Sequence, residues 1–427
     1  MSGRWRRVGV AIGWGAVIGW TPMSIVYANA LRLSDGGDFG MYYAAAETLR
    51  YSPHANIYSL QTLAATVLSH GGCAATLDWP YPYQPLAALM LEPLTLLPCQ
   101  DAAALWRFLN FGVWFGIAAL LSFQAWRRNG SGRALLGAMT VLFFAPVLSG
   151  IHLGQTHLIV LVCMMAGIAL ADRDHDFASG AALGFGAVLK YVPAILMFYY
   201  LLRGRWRVGA GAAAVSTALV VVEGLIVGPR TLLESIGAGE SDVRYYATLF
   251  QGGHWMSSLL AGVAIAYVAG AAFVSVVVWM RWGPMKRPVD ERLGACWAIT
   301  TALILSPLTW WFYLTWLLPA IMVCLEVSIK RAKVMDHGRE WRSAAPRMWP
   351  FVVIALSYSL MLIPAYYPGV VNYRYMAAGT LLLWLLCGAL YLWSAGVRLP
   401  DSATWRRLWL RQPESAASPE AAGVAAR

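Results

Sequence analysis

A chain of 427 residues with 59% hydrophobic and only 12% charged side chains is not a soluble globular protein, in which about a quarter of residues carry charge. It is the composition of an all-α polytopic membrane protein, long enough for about ten to twelve spans of ~20 residues plus one sizeable loop. The net charge of +11 does not mark a nucleic-acid surface, because the basic residues recur in short clusters between apolar runs.

The first apolar run, 8–28, follows the basic RWRR at 4–7. Ala28-Asn29-Ala30 at its end also fits a signal-peptide cleavage site, yet the run is long enough to span. SDGGDFGMYY (34–43) then opens a long polar loop, about 32–103. Carboxylates beside an apolar run are costly and mark chemistry when they gather at one membrane face, which singles out Asp35 and Asp38. Residues 38–50 read as a short helix with Asp38 at its positive end, and 58–69 as a second. PLAALMLEPLTLLP (85–98), with Glu92 and three prolines, is too short to span and reads as a re-entrant or interfacial piece. Cys73 and Cys99 lie in this loop, where an oxidising compartment permits a bridge. The other cysteines, Cys163, Cys296, Cys324 and Cys387, fall in apolar runs and read as packing residues.

Further spans are expected at 104–125, 134–149, 156–171, 179–190, 192–202, 208–228, 257–280, 293–306, 309–328, 348–365 and 375–395, about twelve in all. The run 179–202 has acidic DRDHD before it and basic RGRWR after it. With both flanks on one side it is a hairpin of two short helices, its tip at Lys190-Tyr191-Val192-Pro193 and Pro193 starting the second arm. An N-terminus inside puts 25 of the 32 Lys and Arg on one face. The exceptions are Arg32, Arg50, Arg107, Lys190, Arg230, Arg244 and Arg374. That bias predicts cytoplasmic termini, with the Asp38 loop on the outer face of a bacterial-type cytoplasmic membrane. Residues 1–411 read as one membrane-embedded domain and 412–427 as a disordered tail.

The outer face gathers the uncommon polar groups. After Asp35, Asp38 and Tyr42 come His152, Gln155 and His157 in SGIHLGQTH, and Lys190 at the hairpin tip. Arg244 lies in the 229–256 loop, Trp310 in SPLTWW, and Arg374 in YYPGVVNYRY. Glu223, inside the 208–228 run, is an intramembrane or interfacial carboxylate and a further candidate. Asp35 and Asp38 alone do not make a metal site, since two carboxylates rarely hold a divalent ion without further ligands. No cofactor is expected.

Asp38-x-x-x-Tyr42 with Tyr58 downstream resembles the start of glycosyltransferase family 87. So do YPYQPLAALMLEPLTLLP (81–98), LWRFLNF (105–111), GQTHLIVLV (154–162), GAALGFGAVLKYVPAIL (180–196) and LSPLTWWFYL (305–314), in the family's order. The resemblance implies a GT-C-type helical bundle that takes a polyprenyl-phosphate sugar, commonly mannose, and extends a lipid-linked or glycan acceptor, with Asp38 as catalytic base. The family often carries a His shortly after the Ser-Pro-x-x-Trp turn, whereas this chain has Phe312; His152, His157 or His254 would have to supply an imidazole.

Sugar transfer from a lipid phosphate needs a base for the acceptor hydroxyl and positive charge for the departing phosphate. Asp38 suits the first role; Lys190, Arg244 and Arg374 suit the second. Asp35, Tyr42, His152, Gln155, His157 and Trp310 are candidates to bind substrate. The alternatives are a transporter or flippase for a lipid-linked sugar, and an inactive subunit that binds polyprenyl lipids. Transporters often show paired halves and broken helices at the midplane, whereas the polar groups here gather at one face.

Overall fold

The computed structural model describes residues 10–20, 38–70, 73, 81–235, 259–282, 289–306, 311–336, 345–366 and 373–395. All regular structure among them is helical, one of the two ways a backbone in lipid can satisfy its own hydrogen-bonding groups. The chain runs through α1 (Val10–Trp20), α2 (Asp38–Tyr51), α3 (Leu60–His70), α4 (Pro85–Leu91), a 3-10 turn (Glu92–Leu96) and α5 (Cys99–Asn129). Next come α6 (Ser131–Leu142), α7 (Ala145–His152), α8 (His157–Ala171), α9 (Asp176–Leu189), α10 (Ala194–Leu202) and α11 (Trp206–Val227). The rest is α12 (Leu259–Trp282), α13 (Glu291–Leu305), a second 3-10 segment (Trp311–Leu317), α14 (Leu318–Asp336), α15 (Ala345–Tyr366) and α16 (Tyr373–Ser394).

Each expected span overlaps a helix. Among the described residues, four stretches are long and apolar enough to cross a membrane, Cys99–Arg127, Trp206–Val227, Trp311–Ala332 and Tyr375–Ser394, or five if the bent pair α6–α7 is one span. The span expected at 134–149 is broken into two helices, α6 and α7, bent by 43°. Pro146 in the first turn of α7 explains the break, because its ring cannot continue the preceding helix. The hairpin expected at 179–202 is present: α9 ends at Leu189, Lys190 is extended, and Pro193 caps α10. At 14 and 9 residues these arms are about 21 and 14 Å long, well short of a ~30 Å hydrocarbon core.

Small residues set the closest packing. α9 lies against α11 with Gly180 on the Val208 carbonyl and Gly211 on the Phe177 carbonyl, where a side chain would collide with backbone. Ser179 Oγ ties α9 to α8 by donating to the Gly167 carbonyl at 2.7 Å. α1 docks on the α6–α7 bend: Trp20 donates to the Leu142 carbonyl at 2.8 Å and stacks on Phe143.

Two further features fix the ends of the bundle. Arg205, between α10 and α11, donates to Asp176 at the start of α9, to Glu291 of α13 (2.6 Å) and to the Ala171 carbonyl of α8 (2.7 Å). In the first loop, α2 is buried from Phe39 to Leu49 against α3, α4 and the first 3-10 turn. Cys73 is bonded to Cys99 at the head of α5, with Cα atoms 5.6 Å apart.

Candidate active site

Five stretches, far apart in sequence, meet at the start of α2. They are Asp38 and Tyr42 of α2, Tyr81 and Tyr83 before α4, the turn 153–156 between α7 and α8, Lys190 between α9 and α10, and Phe312 and Tyr313 of the second 3-10 segment.

The turn is set first. Gly154 has φ +72°, which favours glycine, and an added Cβ would lie 2.5 Å from the Cβ of Phe39. That close approach lets Phe39 N–H, in the first turn of α2, donate to the Leu153 carbonyl at 3.0 Å. Trp106 of α5 holds the turn from the other side by donating to the Gly154 carbonyl at 2.8 Å. Gln155 is thereby delivered to the interior, 1% exposed.

Gln155 is the centre of the site. Its Nε2 donates to Asp38 Oδ2. Its Oε1 accepts from Lys190 Nζ at 2.7 Å, from the Tyr42 hydroxyl at 3.1 Å and from the Tyr83 hydroxyl at 3.4 Å. Lys190 is 5% exposed, and its ammonium faces the rings of Tyr83 (4.6 Å), Tyr313 (4.8 Å) and Phe312 (5.6 Å). Aromatic faces are what a cation removed from water needs. Tyr42 and Tyr83 stack at 4.9 Å with planes 8° apart, and Tyr81 meets both edge-on.

Burial pushes the Asp38 carboxyl above the ordinary Asp value; the Gln155 hydrogen bond and the charge of Lys190 pull it partly back. Burial likewise holds the Tyr42 and Tyr83 phenols well above their ordinary value, so both remain hydrogen-bond donors. A partly buried carboxylate of raised basicity beside a caged ammonium can accept a proton from a hydroxyl while a negative leaving group is stabilised nearby.

Of the expected site residues, Asp38, Tyr42, Gln155 and Lys190 are brought together. His157 begins α8 fully buried, and neither ring nitrogen has a hydrogen-bond partner among the described residues. Its ring meets Phe312 edge-on at 6.3 Å, so the imidazole of this chain stands next to the position where the resemblance leads one to look for a His. His152 ends α7, one turn before Gln155, and is partly buried. Asp35, Arg244, His254 and Trp310 lie outside the described residues, and Arg374 lies in the first turn of α16.

Tyr83 and Tyr313 contribute more than their sequence context suggests. The signal for Tyr83 was the proline-bracketed YPYQP; nothing comparable marks Tyr313. Glu223 sits behind Tyr81, fully buried, and accepts from the Leu86 N–H at the start of α4 at 3.0 Å. It anchors the segment that carries Tyr81 and Tyr83. Tyr58 adds a second tie, donating to the Tyr83 carbonyl at 2.9 Å.

Residues 81–307 match the model of glycosyltransferase family 87. The matched stretch includes Tyr83, Gln155, Lys190 and Glu223 but begins after Asp38. A polyprenol-phosphate-mannose-dependent alpha-(1-2)-phosphatidylinositol pentamannoside mannosyltransferase of Mycolicibacterium smegmatis is 28% identical over 283 residues, 62% of this chain and 66% of that protein. Its namesake from Mycobacterium tuberculosis is 24% identical over 325 residues, 73% of this chain and 70% of that protein. A polyprenol-phosphate-mannose-dependent alpha-(1-2)-phosphatidylinositol mannoside mannosyltransferase of M. tuberculosis is 23% identical over 280 residues, 60% and 65% of the two chains. The chain thus spans just under two thirds of the first of these relatives. No solved structure matches it.

Proposed function

Because the chain belongs to glycosyltransferase family 87, we propose that it is a membrane-embedded inverting transferase that moves mannose from a polyprenyl-phosphate donor to a hydroxyl of a lipid-linked glycan, with phosphatidylinositol mannosides the first acceptors to test. The observation that carries this reading is Asp38, a desolvated carboxylate oriented by Gln155 beside the caged Lys190.

In this reading the acceptor hydroxyl gives its proton to Asp38 as its oxygen attacks the anomeric carbon. The new C–O bond forms while the bond from that carbon to the phosphate oxygen breaks, and polyprenyl phosphate leaves with the electron pair. One displacement without a protein nucleophile inverts the anomeric centre. Lys190 supplies positive charge close to the base, and Arg244 and Arg374 are the further cations proposed for the phosphate. The site is proposed to face the outer side, with both termini cytoplasmic; the 25-to-7 split of basic residues supports this orientation.

The test uses purified full-length protein in proteoliposomes with polyprenyl-phosphate mannose and phosphatidylinositol mannosides, read by mass spectrometry. A product one hexose heavier is expected. Asp38→Asn is expected to lower kcat by about 10²–10⁴-fold, the usual contribution of a positioned base. Undiminished transfer by Asp38→Asn would remove Asp38 as the base. Movement of the donor across the bilayer with no product formed would favour a flippase.

A further inference from the structure

A carboxamide has two unlike ends, and the surroundings of Gln155 leave it one orientation. Three donors converge on Oε1: the Lys190 ammonium, the Tyr42 hydroxyl and the Tyr83 hydroxyl. The reverse orientation would aim N–H groups at an ammonium and set the amide oxygen against a carboxylate. Oε1 on Lys190 therefore dictates Nε2 on Asp38. The backbone cannot relax this choice easily, because Gly154 is wedged against Phe39 and tied to Trp106.

We propose that Gln155 is a positioning residue that bridges Asp38 and Lys190, so that the two charges meet through an amide rather than as a contact ion pair. This rests on the transferase reading above and assigns Gln155 a role distinct from substrate contact. The physical point is that a contact pair would quench a base. An ammonium directly on a carboxylate covers the lone pair that a hydroxyl must reach and lowers its proton affinity. Through an amide, Lys190 still favours the ionised form at longer range, while one oxygen of Asp38 is held by a neutral donor. The carboxylate thus stays ionised yet basic, the condition a general base needs. Among the described residues, the other ionisable groups around the bridge are Tyr42 on α2, Tyr81 and Tyr83 ahead of α4, His157 at the start of α8 and Tyr313 of the second 3-10 segment.

The test compares wild type with Gln155→Leu, which keeps similar bulk and makes no hydrogen bond, and Gln155→Glu, which keeps the shape and replaces the donor with an acceptor. Two readouts are taken on the full-length protein. One is the pH dependence of kcat together with the KM for polyprenyl-phosphate mannose. The other needs no substrate: the infrared titration of the Asp38 carboxylate, identified as the band that Asp38→Asn removes.

Both variants are expected to lower kcat at least tenfold with KM for the donor within twofold. Losing one charge-assisted hydrogen bond is expected to move the Asp38 titration, and the acid limb of kcat, upward by about one to two pH units, further in Gln155→Glu. A folded Gln155→Leu with unchanged kcat and an unmoved Asp38 band would overturn the proposal. Should Gln155→Leu fail to fold, an unmoved band in Gln155→Glu overturns it equally. Wild type that transfers no mannose would sink the transferase reading alone, since the infrared titration still decides the role of Gln155.

Discussion

At Asp38 burial raises proton affinity while an amide and an ammonium lower it, and the net effect is upward. The sign of the resulting stability change follows from linkage. Below the ordinary value of about 3.8, the folded and unfolded chains both hold the proton and the site contributes nothing. As pH rises from there through the raised folded value, the folded chain keeps a proton that the unfolded chain has released. Stability therefore falls across that window, and the loss persists at neutral pH. Asp38→Asn is accordingly expected to be far slower yet at least as heat-stable as wild type at pH 7, with the advantage vanishing as pH falls to the ordinary Asp value. Thermal unfolding in detergent across pH 3.5 to 8 checks this. Asp38, Gln155 and Lys190 are legible in sequence because a polar side chain stands out in a chain with 12% charge. The cage that Tyr83, Phe312 and Tyr313 form around Lys190 is not, because 20 Tyr and 14 Phe offer no spacing that separates a cage from a membrane belt. Phe312 reads as a loss in the sequence, yet in the fold it is one wall of the Lys190 cage and a neighbour of His157.

The elements that build the site are short and broken, and their breaks do the positioning. The α7–α8 turn is the clearest case. Alanine at Gly154 would need a left-handed conformation at a cost of about 1–2 kcal/mol, with its Cβ against Phe39 besides. Gly154→Ala is expected to lower the melting temperature and, by displacing Gln155 from Asp38, to lower kcat about 10²-fold. Kinetics on the folded fraction separates the two effects. The hairpin tip at Lys190 is legible because charge on both flanks and Pro193 demand it. The α6–α7 bend is not, because hydropathy runs on through Phe143 and Phe144 and hides the break that Pro146 enforces. Hydropathy reports where lipid is tolerated, and several helices here owe their burial to protein instead.

Across the described residues the candidate site and the Arg205 ion-pair network sit at opposite ends of α9. Asp176 at its start is held by Arg205; Lys190, just past its end, holds Gln155. Fourteen residues of helix put about 21 Å between them. Arg205→Ala should therefore act on stability rather than chemistry. Losing its charge-assisted bonds to Asp176 and Glu291 is expected to cost about 1.5–3 kcal/mol, with kcat of the folded fraction within twofold of wild type. Chemical unfolding alongside activity measures both. The basic cluster RGRWR is legible as a topological signal, but its second use, pinning α8, α9 and α13 together, depends on partners that only the fold brings near.

The Cys73–Cys99 bond bears on the order in which this protein is made. About 150 residues separate Asp38 from Lys190, so at ~5–20 residues per second α2 waits some 8–30 s for the hairpin that completes its surroundings. A cross-link over 26 residues can close long before that and tether the loop after α3 to the head of α5 while the later helices are still being synthesised. Its loss should therefore show first in the cell, as a lower yield of folded protein from Cys73→Ser paired with Cys99→Ser, and only second as a stability deficit of about 3–4 kcal/mol in the molecules that survive.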